Sequence, residues 1–517
     1  MRWFRKLLPW LVIAAALAVI VYLPDLGPER YTDLATMFRT EKTRQANAGF
    51  SVTVCRNGAI LYQESFGHDG KGQPLAKDTP MYFGPSSEIL SGALLYSLSL
   101  SGSMSLDEDI RKYLPELPAT GLRSIKPLGK AEEVLNHDQS AAPTPVEMDI
   151  VQTEAVTVRA IASHSINLSD KAFKSFGSSI SGLEAGEFDP EQYLRSRLGG
   201  EILLRSRLSY RILGTAMENA EKAKFDELLS SRLLIPLGMH GTTARPDSLQ
   251  GVAIGSGLFF GFSFPYSSRV PYIAAPADGI VTTSDDVATF LRYITAPPAK
   301  GIASLPPWSV AKLYQPLVPG GDTGFGWRIA TRKDDREIFQ GGSIEGFSSR
   351  VVIWPERNVG IVILSAQGGV IQSNVVLPWL ALAAERIIFS GSSPKLFPLS
   401  RLLVIAGISL FVYIVSLLLQ TATANSWTKE LRDRKELSRN AIHERIILAR
   451  TVAGIALRFG AFALAPLLIG RLIGRPVVYH DLMTMEPGFG AFFIIAMVAG
   501  ALRNCARLAW FVHLERG

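Results

Sequence analysis

The chain has 517 residues, 47% of them hydrophobic, with a mean hydropathy of +0.19 and a formal net charge of +7. Four apolar stretches account for that hydropathy, and roughly 370 residues lie between the first and second, ample for one large domain. Much of the Lys and Arg flanks the apolar stretches, so the basic excess reads as membrane topology and not as nucleic-acid binding. The seven histidines show no zinc spacing, and no metal or cofactor is expected.

Residues 1–27 set Arg2, Arg5 and Lys6 before an uncharged run from Leu7 to Leu23. The run approaches the ~20 residues that cross a bilayer, and no small-residue cleavage site ends it in polar sequence. It is expected to be an uncleaved anchor with its N-terminus in the cytoplasm. From Gly49 to Gly67 apolar and polar residues alternate around Asn57-Gly58, a pair that accepts the positive φ of a type I′ turn, which predicts a β-hairpin. Cys55 falls inside its first strand, as a small buried hydrophobe.

In the stretch from Thr79 to Leu117, Ile89, Leu90, Ala93, Leu94, Tyr96, Leu98 and Leu100 predict a buried helix. Pro85 suits its first turn and Gly102 its stop. Ser86 and Ser87 are expected to be polar caps at its start. Pro118 to Val156 is rich in Pro, Ala and charge without steady periodicity, and is expected to be a surface loop. Asp189-Pro190 is a good N-cap and first-turn pair for a helix reaching Leu198. Thr283-Ser284 caps another, with Asp285 and Asp286 at its positive end. Val351 to Leu364 reads as a hairpin turned at Pro355 to Asn358.

After Pro398 come three more apolar runs, Leu402 to Leu419, Thr451 to Gly470 and Pro487 to Leu502. The loop between the first two carries Lys429, Arg432, Arg434, Lys435, Arg439, Arg445 and Arg450, which marks it as cytoplasmic. The expected organisation is an anchor over 1–27, an extracytoplasmic domain over 28–395 and a membrane domain with three spans over 396–517. Both termini then lie in the cytoplasm. Cys55 and Cys505 fall on opposite sides, which excludes a disulfide between them. Arg458 sits inside the third span, facing a partner helix or polar cavity, or else snorkelling to the basic side.

Several of these segments carry a family pattern. Thr79, Gly102, Leu106, Asp107, Tyr113, Leu114 and Pro115 stand at the spacing of the nucleophile segment of the serine β-lactamase and penicillin-binding protein superfamily, in its class C β-lactamase-like branch. Val158, Arg159, His164 and Ser165, then Leu234 to Met239, then Ala275 to Tyr293, resemble its later segments. Phe339 to Phe347 resembles its third motif, with Gly342, Gly346 and Phe347 retained. The resemblance implies an α+β fold, an antiparallel sheet flanked by helices, joined here to four transmembrane helices. It implies a structural role for His164.

It also implies catalytic positions, and each is occupied by a different residue. Pro85 stands where the pattern has the serine, and Glu88 where it has the lysine. Arg205 and Arg207 replace the Tyr and Asn of Tyr-x-Asn, and Gln340 replaces the third-motif His or Lys. The covalent mechanism is left without a nucleophile, a base or a proton relay. The degenerate pocket would comprise Pro85, Glu88, Arg205, Arg207, Gln340 and Gly342. Glu88 would pair with Arg205 or Arg207, or leave an arginine free to bind an anionic group; alternatively the pocket has closed and these side chains line its rim.

The leading expectation is therefore a catalytically inactive, membrane-anchored pseudoenzyme of the bacterial cytoplasmic membrane, its large domain periplasmic. It would act as a scaffold, regulator or binding subunit of a cell-envelope or export system. Its partner would be an active paralogue, a transporter, an envelope enzyme or a second copy of itself. One alternative is a hydrolase whose nucleophile has moved to Ser86, Ser87 or a loop serine. Another is a binder of anionic envelope ligands through Arg195, Arg197, Arg205, Arg207 and Arg211.

Overall fold

The alternation from Gly49 to Gly67 forms the predicted hairpin, β1 (Gly49–Arg56) and β2 (Ala59–Gly67), in a computed structural model. Apart from short breaks, the structure describes residues 29–115, 156–168 and 207–396, two strands between 116 and 155, and short helical stretches beyond 400. At the hairpin turn Asn57 and Gly58 have φ of 51° and 75°, the left-handed pair that a type I′ turn demands. Four later strands complete the sheet: β3 (Arg328–Arg332), β4 (Asp335–Ile344), β5 (Phe347–Trp354) and β6 (Val359–Ser365). Their order is β3-β4-β5-β6-β1-β2, antiparallel throughout, so the last strand pairs with the first. The β5–β6 turn is Pro355–Arg357 followed by Asn358 at a φ of 50°, as its sequence predicts.

Helices α1 (Leu34–Arg44), α2 (Ser87–Leu100), α3 (Arg207–Glu221), α4 (Ser284–Thr295) and α5 (Leu377–Ser390) cover the sheet. Strand alternation divides the core into two. Val52, Val54, Val352, Ile361 and Ile363 pack with α1 and α5 on one face. Cys55, Val351, Ile353, Val362 and Leu364 point to the other, toward α2, α3 and α4. This is the expected α+β arrangement, a sheet with helices on both sides. Thr283 caps α4 by accepting from the Asp286 amide at 3.1 Å. Thr53 Oγ1 and Ser284 Oγ, 2.8 Å apart, tie that cap to β1.

The helix predicted from Ile89 onward is buried nearly all round, with Leu100 at its exposed end. One expectation is corrected. The segment from Pro118 to Val156 is more than a loop, because Leu122–Pro127 and Met148–Gln152 pair antiparallel within it. The first of these also pairs with Ile166–Leu168. Its residues offer no clean alternation, and its second partner lies beyond the segment, so local pattern carries no sign of the pairing.

The 7–23 run lies outside the described residues, as do half of 402–419, most of 451–470, residues 487–493 of the last run and the 189–198 helix. Among the described residues no helix is long and apolar enough to cross a membrane. Both cysteines are free, Cys55 buried and Cys505 exposed.

Candidate functional site

The site is built where α2 begins. Pro85 occupies the tight turn Gly84–Ser86, which runs directly into α2. Its fixed φ suits a helical first turn, and its missing N–H is one the helix leaves unpaired anyway. Two glycines let other backbone close in on this helix start. A Cβ on Gly326, whose φ is +75°, would lie 2.0 Å from the Glu88 carbonyl oxygen. One on Gly92 would lie 2.4 Å from the Phe325 carbonyl. The Phe325–Gly326 backbone is thus seated on α2 with no room for a side chain between them.

From the sheet side, β4 brings Gly342 against Pro85. A Cβ on Gly342 would fall 2.6 Å from Pro85 Cγ, so the pyrrolidine ring fills the space in front of the third-motif strand. Two residues earlier on β4, Gln340 Nε2 donates to Glu88 Oε2 at 2.6 Å. Both side chains are buried, each residue 4% exposed. His164 Nε2 lies 3.5 Å from the same carboxylate oxygen. The imidazole, also buried, stacks at a tilt 5.5 Å from the Tyr210 ring on α3. His164 thus lies in the core, as expected, at a φ of 55° that few non-glycine residues adopt. The residues at the lysine and third-motif positions are joined to each other, so the partner of Glu88 is an amide on the sheet and not the arginine its charge suggests.

Ser86 and Ser87 correct a second expectation, since neither side chain caps α2. Ser349 donates to the Phe83 carbonyl at 2.6 Å, which leaves Ser86 as donor to Ser349 across 2.7 Å. Ser87 Oγ accepts from the Ile280 amide at 3.2 Å. Both serines are 0% exposed, and they bolt the helix start to β5 and to the 275–280 segment. The polar groups they serve lie far along the chain, where local spacing cannot reveal them.

The arginine positions are less fully placed. Arg205, with Arg195 and Arg197, lies outside the described residues, and Arg458 does too. Arg207 opens α3, its side chain outside what is described. Arg211 Nη2 sits 3.7 Å from Asp278 Oδ2, with both side chains largely buried. That contact sets Arg211, one of the arginines considered above for anionic ligands, beside a carboxylate of the domain itself. Among the described residues no group of three or more His, Cys, Asp or Glu converges to hold a metal ion.

This geometry agrees with what the chain is similar to. The family described as Beta-lactamase matches residues 34–386. Protein flp of Staphylococcus aureus strain N315 is 21% identical over 321 residues, which is 61% of this chain and 59% of that protein. Its counterpart in strain MRSA252 is 20% identical over the same length. The chain thus spans less than two thirds of those curated relatives. A structure of the octameric penicillin-binding protein homologue from Pyrococcus abyssi shares the fold, with a TM-score of 0.51 and 18% identity over 69% of this chain and 77% of that one. With the matched family extending from α1 well into α5, across the sheet and the helix that carries Pro85 and Glu88, the chain belongs to the beta-lactamase family, within the serine β-lactamase and penicillin-binding protein superfamily.

Proposed function

We propose that this protein is a membrane-anchored, catalytically inactive member of its family that works by binding, as an extracytoplasmic scaffold or regulatory subunit of a cell-envelope or export system. The observation that carries the reading is the Gln340–Glu88 hydrogen bond beside Pro85. In the family pattern a lysine one turn from the serine prepares its hydroxyl for attack. Here a carboxylate fastened to an amide stands at that position, next to a ring that carries no nucleophile. Replacement at both positions, with complementary partners, supports a pocket kept for its shape and not for acyl transfer.

Relocated chemistry is less well supported. Ser86 and Ser87 are sealed from solvent and committed to Ser349 and to the Ile280 amide. Membrane anchoring rests on the apolar runs and their basic flanks. The deciding experiment is intact-mass analysis of the detergent-purified protein after exposure to a fluorophosphonate and, separately, to a penicillin. No adduct is expected while an active family member labels fully in parallel. A stoichiometric adduct overturns the reading, and its mapped position identifies the nucleophile.

A further inference from the structure

A second buried polar cluster lies on α1, where the two ends of the domain meet. Glu41 on α1 is fully buried. Its carboxylate accepts from Tyr31 Oη at 2.7 Å, Arg44 Nε at 3.1 Å and Gln45 Nε2 at 2.7 Å. It also accepts from the backbone amide of Leu396 at 3.3 Å, and Arg44 Nη2 returns a bond to the Leu396 carbonyl at 2.7 Å. Tyr31 and Gln45 are fully buried and Arg44 nearly so. Around this node Arg30–Tyr31 pairs antiparallel with Ser393–Pro394, and Lys395 donates its amide to the Glu29 carbonyl. The segment entering the domain and the segment leaving it are therefore one two-stranded ribbon, pinned by a single carboxylate.

Antiparallel pairing fixes a direction. Residue 29 lies beside residue 395, so the chain enters where it leaves. Leu23 stands six positions before Glu29, and Leu402 six positions after Leu396. At about 3.3–3.6 Å per residue each connection spans at most about 20 Å. Adding a strand spacing of about 5 Å keeps the facing ends of the first two apolar runs within about 45 Å.

We propose that the Glu41 node is a juxtamembrane clamp, which gathers the first two apolar runs as paired legs at one patch of the bilayer and transmits displacement of either leg to α1 and the sheet. The clamp rests on the membrane-anchored part of the reading above and is independent of whether the domain is catalytic. The partner surface is the lipid headgroup region beneath the ribbon, where Arg30 lies in one strand and Lys395 directly follows the other.

The test uses the full-length protein in nanodiscs, with Cys505→Ser to remove the exposed native thiol. Spin labels at Leu23→Cys and Leu402→Cys should give a pulsed-EPR distance distribution within about 45 Å. Separately, Arg30→Cys with Pro394→Cys, opposite each other in the ribbon, should form a disulfide on mild oxidation. Glu41→Ala should slow that oxidation at least about tenfold and broaden the spin-label distances, because several buried donors lose their acceptor together. Tyr31→Phe, which deletes one bond and keeps the ring, should slow it by a smaller factor, and it is the variant to read if Glu41→Ala does not fold. Unchanged oxidation in the readable variant, or distances well beyond 45 Å, overturns the clamp. Protein that washes off membranes in carbonate overturns the anchored reading instead, and the oxidation rates still report on the ribbon.

Discussion

Gly342 on β4 faces the pyrrolidine ring of Pro85 so closely that a single added methyl would lie 2.6 Å from Pro85 Cγ. Gly342→Ala should therefore cost about 1–3 kcal/mol, the usual range for overpacking. Pro85→Ala in the same chain should recover most of that loss. Urea denaturation of the two single variants and the double variant measures it. Equal stability of Gly342→Ala and the parent would mean that the ring is not seated as described.

The Glu88–Gln340 bond makes a separate prediction. Glu88→Ala leaves a buried amide without its acceptor and should destabilise by about 1–3 kcal/mol. Glu88→Lys buries an ammonium against the Gln340 amide and the His164 ring, and should cost about 3–5 kcal/mol. With Gln340→Leu the two sites should couple in a double-mutant cycle, since they share one hydrogen bond. Additive effects would show that the bond carries no net stability.

Restoring the family's residues should not restore its chemistry. Pro85→Ser with Glu88→Lys supplies a hydroxyl and an amine, but Gln340 still occupies the third-motif position and no tyrosine relay returns. We expect no penicillin acylation of the folded double variant, read by intact mass. Slow but stoichiometric acylation would mean that these two positions alone withhold activity.

Cys55 predicts an alkaline effect. Burial pushes its thiol up from 9.0 to about 11, an effect that the Arg292 charge offsets only in part. Between those values the unfolded thiol has ionised and the native one has not, so the native state binds more protons. Stability is then level below pH 9 and falls as pH rises toward 11, by up to about 1.4 kcal/mol per pH unit. The difference between parent and Cys55→Ala in urea midpoints from pH 8 to 11 isolates this group. A pH-independent difference would contradict the assignment. In the native protein below pH 9, maleimide should spare Cys55.

The features legible in the sequence are those decided by neighbours. Asn57-Gly58, the Thr283 cap and the Gly102 stop each depend on a few adjacent residues, and each is found where its spacing puts it. Pro85, Glu88, Gln340 and Gly342 were all identified as replaced or retained pocket positions, yet only the fold reveals that Glu88 is paired with Gln340 and Pro85 seated on Gly342. Ser86 and Ser87 look like caps because a serine at a helix start ordinarily serves its own helix, whereas here the sheet and the 275–280 segment claim both hydroxyls. Glu41, with Leu396 at the other end of the domain, carries no local sign at all.

The ribbon of residues 30–31 and 393–394 changes how this domain can come apart. Chain ends are ordinarily the first places to fray, and opening then spreads inward from each independently. Here neither end can peel without stripping the other of its strand partner and opening the Glu41 node. The two ends of the domain are fastened to each other, so fraying at one end should be coupled to fraying at the other.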